Sequence, residues 1–156
     1  MRRIFELSRS LPSAPLERFQ EKTRSLPQTT EAERLVIQRI GQDIFRDALV
    51  EYWGGRCPLT GITDAALLRA SHIVPWADCS DEQRLDVHNG LLLSALWDAA
   101  FDQGLVSFAD DGNPLANRLL SETARRTLSI DTAAPLRGLR DAHLANLSLH
   151  RARHGF

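Results

Sequence analysis

Three polar residues in the middle of the chain have side chains that could cooperate in hydrolysis: His72, Asn89 and Asp98. A histidine titrates near neutral pH and can take a proton from water. A carboxylate is a ligand that hard cations such as Mg²⁺ prefer, and such a cation can neutralise the charge that develops on a reacting phosphate. An asparagine amide both donates and accepts hydrogen bonds, so Asn89 could brace the loop that carries His72. These side chains could supply a general base, a cation ligand and a brace for the loop, which are groups that hydrolysis of a phosphodiester bond requires.

The segments around these residues have the patterns of short regular elements. Short apolar runs at 66–70 and 90–94 predict two strands, and residues 95–103 predict a helix. Pro75 and the many polar side chains of 74–88 predict an irregular loop between the two strands. The three candidate residues then belong to one strand–loop–strand–helix unit.

Helices are predicted on both sides of this unit. Thr30 and Glu33 form a capping-box pattern, and the apolar residues that follow at helical spacing predict a helix at 31–53. It ends at Gly54-Gly55, as helices often do. Leucines and histidines on or near one face of 138–152 predict a C-terminal helix.

Shorter elements complete the predicted fold. Leu105–Phe108 and the residues after the Asp110-Asp111-Gly112 turn predict a hairpin, and residues 121–126 predict a short helix capped by Ser121. Residues 1–29 contain three prolines and many polar side chains, which predicts an arm or linker with a short helix at 16–24.

Length and composition are those of one ordinary globular domain. The chain has 156 residues, of which 43% are hydrophobic and 25% are charged, and its net charge of −1 does not by itself indicate a nucleic-acid binder. No apolar run approaches the roughly eighteen residues of a membrane span, and no secretory signal is evident near the N-terminus. Cys57 and Cys79 form no CxxC pair, so this chain alone cannot build a four-cysteine zinc site. We expect a cytoplasmic protein with no membrane partner.

An ordered series of motifs within residues 31–156 resembles the HNH nucleases, in particular the subgroup found beside restriction systems. The motifs are Gly41-Gln42…Phe45-Arg46, Cys57-Pro58-Leu59-Thr60-Gly61, Ala70-Ser71-His72-Ile73, Pro75-Trp76, Asn89-Gly90-Leu91-Leu92-Leu93, Phe101-Asp102-Gln103-Gly104 and His150-Arg151. Each motif is short, and their order makes the resemblance specific. It implies an α+β fold in which a ββα-metal (HNH) core is flanked by N- and C-terminal helices. Residues 1–29 would be the arm or linker and residues 30–156 the nuclease domain.

The resemblance also implies roles for the candidate residues. His72 would be the general base that activates water, and Asn89 would position His72 and its loop. Asp98 takes the place of the second histidine and would be a metal ligand, so the chain reads H-N-D. The implied cofactor is one divalent metal, with Mg²⁺ favoured and Mn²⁺ or Ni²⁺ as alternatives. The implied activity is a metal-dependent endonuclease acting on DNA, with double-stranded DNA favoured.

A second departure from the pattern concerns the residue before the general base. Many HNH nucleases have an Asp or His there as a further metal ligand, and this chain has Ser71. Asp102 lies four residues after Asp98, which places both on one helix face and makes Asp102 a candidate substitute. Asp102 could equally hydrogen-bond the backbone near Gly104.

Arginines are the best candidates for DNA contacts, because guanidinium groups pair with phosphate and make affinity salt-dependent. The candidates are Arg39, Arg46, Arg69 and Arg151, although each alone could be an ordinary surface or ion-paired arginine.

Paired cuts in duplex DNA would need two active sites, which makes a homodimer plausible. No reader domain is evident, which suggests weak sequence specificity or a partner protein that supplies targeting. A role in restriction or in defence against foreign DNA is a further expectation.

Two other functional interpretations remain open. Ser71 in place of a ligand would also fit a non-catalytic DNA-binding or interaction module on a decayed HNH scaffold. A toxin-like nuclease delivered to other cells would need a delivery domain or an immunity partner.

The aromatic residues near the site are interpreted as core rather than base-stacking platforms, and His88 as an exposed loop residue. These aromatic residues are Trp76, Trp97, Phe101 and Phe108.

Overall fold

The computed structural model describes residues 14–156, whose regular structure consists of six α-helices, four short 3₁₀ helices and four short β-strands. The fold is α+β as predicted. The helices are α1 (Ala14–Thr23), α2 (Glu31–Tyr52), α3 (Asp81–Leu85), α4 (Ala95–Asp102), α5 (Glu122–Thr127) and α6 (Asp141–His154). The strands are β1 (Leu68–His72), β2 (Gly90–Ser94), β3 (Val106–Phe108) and β4 (Pro114–Ala116).

An antiparallel ribbon of β1 and β2, followed directly by α4, forms the centre of the fold. Leu68 pairs with Ser94 at one end of the ribbon, and His72 pairs with Gly90 at the other. The predicted strand–loop–strand–helix unit is therefore present as a ββα unit.

The two faces of the ribbon pack against different helices because side chains alternate along a strand. Leu91 and Leu93 belong to a core cluster that also contains Trp97 and Phe101 of α4. Leu92, whose side chain points the other way, packs with Leu68 in a separate cluster. Ala70 of β1 packs on the cluster built by α2, which includes Ile44, Phe45 and Leu49. The ribbon is thus held between α4 and α2.

Helix α2 begins and ends at the signals seen in the sequence. The Thr30 hydroxyl accepts from the Glu33 backbone N–H at 3.2 Å, and the Glu33 carboxylate accepts from the Thr30 backbone N–H at 2.9 Å. Gly54 and Gly55 have φ of 68° and 67°, which a glycine adopts at little cost. The buried face of α2 packs on the ribbon.

Helix α1 packs against α2 through Leu16 and Phe19, which contact the α2 cluster. The part of the predicted arm that precedes residue 14 lies outside the described residues.

The C-terminal third encloses the other side of α4. Strands β3 and β4 form the predicted hairpin, with Phe108 opposite Pro114. Leu147 of α6 is fully buried in the same cluster as Trp97. Ser121 caps α5, because its hydroxyl accepts from the Ala124 backbone N–H at 3.1 Å.

Three local predictions were wrong. The first strand covers Leu68–His72 rather than 66–70, because residues 65–67 form a 3₁₀ turn and pairing with β2 sets the strand's bounds. The loop at 74–88 contains helix α3, which is capped reciprocally by Ser80 and Gln83. The His88 side chain is only 19% exposed and lies beside Asp86 rather than in solvent.

The predictions for the aromatic residues are mostly confirmed. Trp97, Phe101 and Phe108 are buried, whereas Trp76 is half-buried. Cys57 and Cys79 are buried free thiols. Within residues 14–156, no helix combines the length and the apolar character needed to cross a membrane.

Candidate active site

His72 is the last residue of β1, and its imidazole contacts two aromatic rings. The Phe45 ring of α2 stacks on it at 3.9 Å between ring centroids with an interplanar angle of 15°. The Trp76 ring meets it edge-on at 5.3 Å. Its Nε2 atom lies 2.8 Å from the backbone carbonyl oxygen of Arg84, at the end of α3. Helix α2, the loop after β1 and helix α3 therefore fix the imidazole together.

The carbonyl of Arg84 determines where His72 carries its proton. A carbonyl oxygen only accepts, so Nε2 must be the protonated nitrogen that donates to it. In the neutral imidazole the lone pair then lies on Nδ1. Burial is the main cause that lowers the pKa of His72 below 6.5; the Arg84 carbonyl opposes this, and the positive charge of Arg84 adds to it. A neutral imidazole with a free lone pair is the state that a general base requires.

Asn89 is 2% exposed and ties together the loop between the strands. Its Oδ1 accepts from the Val74 backbone N–H at 2.8 Å. Its Nδ2 donates to the carbonyl oxygen of Gln83 at 3.2 Å and also lies 3.4 Å from Cys79 Sγ. These bonds join the segment after β1 to helix α3, whose end holds His72. This is the geometry that a bracing role needs.

Asp98 lies in the first turn of α4, and its carboxylate is half-buried. The Ser71 hydroxyl donates a hydrogen bond to Asp98 Oδ1. Ser71 is on β1, 4% exposed, and pairs with Leu91. Helix α4 therefore returns its first-turn carboxylate to the strand that carries His72.

His72 and Ser71 are consecutive residues of β1, and their side chains lie on opposite faces of the strand. Asp98 contacts the Ser71 side chain. Ser71 points toward α4 and touches Asp98, whereas His72 points toward α2 and touches Phe45. Consecutive Cα atoms are about 3.8 Å apart. The imidazole and the carboxylate thus flank the same end of one strand.

The second predicted metal ligand, Asp102, has a different hydrogen-bond partner from Asp98. Asp102 is exposed near the end of α4, and its Oδ2 accepts from Gln103 Nε2 at 3.3 Å. Burial lowers the pKa of His150 on α6, and the negative charge of Asp102 partly opposes this shift. The structure does not join Asp98 and Asp102 by a hydrogen bond to a common partner.

A divalent cation is implied by the sequence pattern, and the residues at this end of β1 can be tested for it. In the part of the chain from residue 14 onward, no group of three or more His, Cys, Asp or Glu side chains could hold a metal ion. The local donors are the oxygens of Asp98 and Ser71, which suit a hard cation. Mg²⁺ commonly uses one or two carboxylates and completes its shell with water and substrate phosphate. The donor set fits such a weakly held cation and does not fit a closed structural site.

The four candidate DNA-contacting arginines differ in how they are engaged. Arg46 donates to the carbonyl oxygens of Leu68 and Ala65 at 2.8 and 2.7 Å. Arg151 donates to Phe108 O at 2.7 Å and to Asp110 at 2.8 Å.

The other two arginines are exposed. Arg69 contacts only nearby carbonyl oxygens, those of Ala66 at 2.9 Å and Leu68 at 3.0 Å. Arg39 lies on the exposed face of α2. Arg39 and Arg69 are therefore better placed than Arg46 and Arg151 to meet an external phosphate.

Two contributors to the site were not assigned to it from the sequence. Phe45 was noted only within a motif, and Arg84 acts through its backbone carbonyl, which no side-chain pattern reveals. Arg84 also donates from Nε to the Trp76 carbonyl at 2.9 Å and lies over the Trp76 ring at 5.0 Å. The Ser80–Gln83 capping box was the available signal, since it predicts a helix that presents this carbonyl.

Comparison with known families supports part of the sequence interpretation. Residues 57–109 match a family model, HNH_2, described as HNH endonuclease. The matched segment contains β1, α3, β2 and α4, and it includes His72, Asn89 and Asp98. No curated protein matches the chain. The match supports the resemblance to HNH nucleases and indicates an endonuclease-type domain, and it does not extend to the restriction-associated subgroup.

Proposed function

We propose that this protein is a metal-dependent endonuclease that hydrolyses phosphodiester bonds of DNA, with His72 as the general base and one divalent cation at Asp98. The observation that carries the proposal is the bond from His72 Nε2 to the Arg84 carbonyl, within the segment that matches the HNH endonuclease model. This bond leaves Nδ1 as the proton acceptor at the strand end that Asp98 also flanks.

The proposed reaction begins with proton transfer to His72. Nδ1 takes a proton from water, and the resulting hydroxide oxygen attacks phosphorus while the bond from phosphorus to the leaving oxygen breaks. The imidazolium that forms still donates from Nε2 to the Arg84 carbonyl, so this carbonyl stabilises the charged form. Phe45 and Trp76 restrict rotation of the ring during the transfer.

The cation would be held by Asp98 and by Asp102, the second predicted ligand. When bound, a divalent cation supplies positive charge that stabilises the phosphate and the leaving oxygen. We propose Mg²⁺ as the physiological metal and Mn²⁺ or Ni²⁺ as substitutes. Asn89 would keep the loop in place while the reaction proceeds, through its bonds to Val74 and Gln83.

Duplex DNA is the proposed substrate, and Arg39 and Arg69 are the proposed phosphate contacts. Arg46 and Arg151 would chiefly stabilise the local structure through their bonds to backbone carbonyls. Affinity should fall as salt rises, because each phosphate contact releases counterions. A homodimer would allow paired cuts, and a partner protein would supply targeting. We propose a cytoplasmic role in restriction or defence against foreign DNA, with residues 30–156 as the nuclease domain and 1–29 as its arm.

The test is cleavage of supercoiled plasmid by purified protein with Mg²⁺, Mn²⁺, Ni²⁺ or EDTA. We expect metal-dependent nicking or linearisation that is lost in His72→Ala and in Asp98→Ala. Glu82→Ala is a matched control, because Glu82 is an exposed carboxylate on α3. A folded wild-type protein that cleaves neither plasmid nor linear duplex with any metal contradicts the proposal.

The alternative function is a non-catalytic DNA-binding module on the same scaffold. It is favoured by the small number of acidic donors beside Asp98 within residues 14–156. It predicts duplex binding that is equal in wild type and His72→Ala, unchanged by EDTA, and never followed by cleavage.

A further inference from the structure

Ser71 and Asp98 form a side-chain contact that the proposed reaction has not used. Ser71 lies inside β1 and is 4% exposed, and its hydroxyl donates to Asp98 Oδ1. The two residues are 27 positions apart, on the strand and the helix of the ββα unit. The contact joins the strand end beside His72 to the carboxylate proposed to hold the cation.

The carboxylate of Asp98 has competing partners within its own helix. The first backbone N–H groups of a helix have no partner inside the helix and attract carboxylates of the first turn. Ser94, the N-cap residue of α4, makes no side-chain capping bond that would occupy them. A carboxylate in the first turn could therefore fold back toward these N–H groups. The hydrogen bond from Ser71 holds it toward β1 instead.

The chemistry of Ser71 fits a donor to the carboxylate better than a ligand to the metal. Its hydroxyl hydrogen is directed at Asp98. Hard cations in proteins favour carboxylate, carbonyl and water oxygens. Ligating carboxylates are themselves commonly hydrogen-bonded, and these outer contacts tune the affinity for the metal.

We propose that Ser71 is a positioning residue: it fixes Asp98 through Oδ1 so that the other carboxylate oxygen is available to the divalent cation. The inference rests on the proposed function, because it assigns to Asp98 the role of cation ligand. It differs from the role of a further ligand, which the position before the general base has in many HNH nucleases.

Three variants separate the hydroxyl from the rest of the side chain. Ser71→Ala removes the donor with little change of volume, and Ser71→Thr keeps a hydroxyl and suits a strand. Ser94→Ala is the matched control, since Ser94 is a serine of β2 with 5% exposure that does not bond Asp98. Circular dichroism of each variant establishes that it is folded.

Mn²⁺ binding without DNA is the first measurement, read by the electron paramagnetic resonance signal of free Mn²⁺. We expect Ser71→Ala to bind Mn²⁺ about 10- to 100-fold more weakly than wild type, the range found for loss of an outer contact. Ser71→Thr and Ser94→Ala should stay within about threefold of wild type on the same scale. Equal affinity of Ser71→Ala and Ser94→Ala would overturn the inference, as would a folded Ser71→Thr as weak as Ser71→Ala.

The number of water molecules on the bound Mn²⁺ is the second measurement, obtained from line broadening in ¹⁷O-labelled water. A positioning role predicts the same number in wild type and Ser71→Ala at saturating Mn²⁺. One additional water in Ser71→Ala would make Ser71 a ligand and would overturn the inference while leaving the proposed nuclease intact. A wild-type protein that neither binds Mn²⁺ nor cleaves DNA would overturn the proposed function together with this inference.

Discussion

Gly90 lies directly opposite His72 in the ribbon, and the side chain that it lacks makes room for Phe45. A Cβ atom at Gly90 would be 2.5 Å from Phe45 Cζ and 2.8 Å from the two terminal carbons of Leu49. Phe45 uses this space to stack on the His72 imidazole at 3.9 Å. The close approach of α2 to β2 and the orientation of the candidate base therefore depend on the same glycine.

Gly90→Ala should displace Phe45 and loosen the imidazole. Overpacking of this kind costs about 1–3 kcal/mol, so we expect a lower midpoint in urea unfolding and a slower cleavage rate. Gly138→Ala cannot serve as the control, because Gly138 has a φ of 81° and a side chain would be strained there. Ala95→Gly is the control, since it changes an exposed position of α4. If Gly90→Ala has the stability and cleavage rate of wild type, a Cβ atom fits between β2 and α2, and this account is wrong.

The pH dependence of cleavage should report the buried state of His72. Burial is the main cause that lowers the pKa of His72 below 6.5, so the active neutral base persists below that pH. We expect the acid limb of the pH–rate profile to lie below pH 6.5 and to move upward in Phe45→Leu, which gives water more access to the ring. Ile44→Val, a buried change on the same helix that does not alter the stack, should leave the limb in place. An identical limb in Phe45→Leu and wild type would contradict this account.

Asn89→Ala should affect stability and rate together. The substitution leaves the Val74 N–H and the Gln83 carbonyl without their present partner, and an unsatisfied buried group costs about 1–3 kcal/mol. We expect a clear loss in the free energy of unfolding and a fall in the maximal cleavage rate larger than any change in KM. Ser107→Ala, at a buried position on β3, gives the comparison for loss of a buried polar group away from the loop. A variant with reduced stability but the wild-type rate would limit Asn89 to a structural role.

Two buried histidines away from the site should make the fold sensitive to acid. Burial is the main cause that lowers the pKa of both His143 and His150 to about 4 from 6.5. The unfolded chain therefore binds protons that the folded chain does not between pH 6.5 and 4, so stability falls as the pH falls through this window. The loss should be on the order of 3 kcal/mol for each histidine.

Urea unfolding at pH 7.5, 5.5 and 4.5 measures this dependence. His150→Gln removes one titrating group and should reduce the slope of stability against pH, even though it lowers stability at pH 7.5. That lower stability is expected because His150 bonds both Ser107 Oγ and the Phe101 carbonyl, at 2.9 and 3.0 Å. If His150→Gln has the same slope of stability against pH as wild type, the lowered pKa of His150 is not a cause of the acid sensitivity.

Asp98→Asn and Asp102→Asn distinguish the two predicted metal ligands. Because Asp98 contacts β1 through Ser71, we expect Asp98→Asn to lose metal-dependent cleavage by at least 100-fold, roughly the scale for loss of a catalytic charge contact. Asp102 is exposed and its carboxylate accepts from Gln103 rather than from β1, so the smaller effect of Asp102→Asn should be relieved by raising the Mg²⁺ concentration. If Asp102→Asn cleaves as fast as wild type at limiting Mg²⁺, Asp102 is not a ligand of the cation.

Much of the local structure could be predicted because it depends on short-range patterns. The capping box at Thr30 and Glu33 and the apolar run of 90–94 act on neighbouring residues, and α2 and β2 occur where these patterns place them. The hairpin after α4 follows from its Asp-Asp-Gly turn in the same way. The order of His72, Asn89 and Asp98 was also enough to indicate a ββα unit.

The contacts within the site could not be predicted, because they join residues that are distant in the chain. The bounds of β1 depend on pairing with β2, and the sequence of 66–70 alone placed the strand two residues too early. The stack of Phe45 on His72 and the bond from Ser71 to Asp98 each span 27 residues, and the face on which each side chain lies follows from that register.

The sequence by itself therefore determined which residues could do the chemistry and which local elements carry them. Only the tertiary structure decided that a backbone carbonyl selects one neutral tautomer of His72, that Asp98 is bonded to Ser71, and that the two groups flank one strand end from opposite faces. The physical reason is that strand pairing and helix packing, rather than local propensity, determine which side chains and carbonyl groups meet.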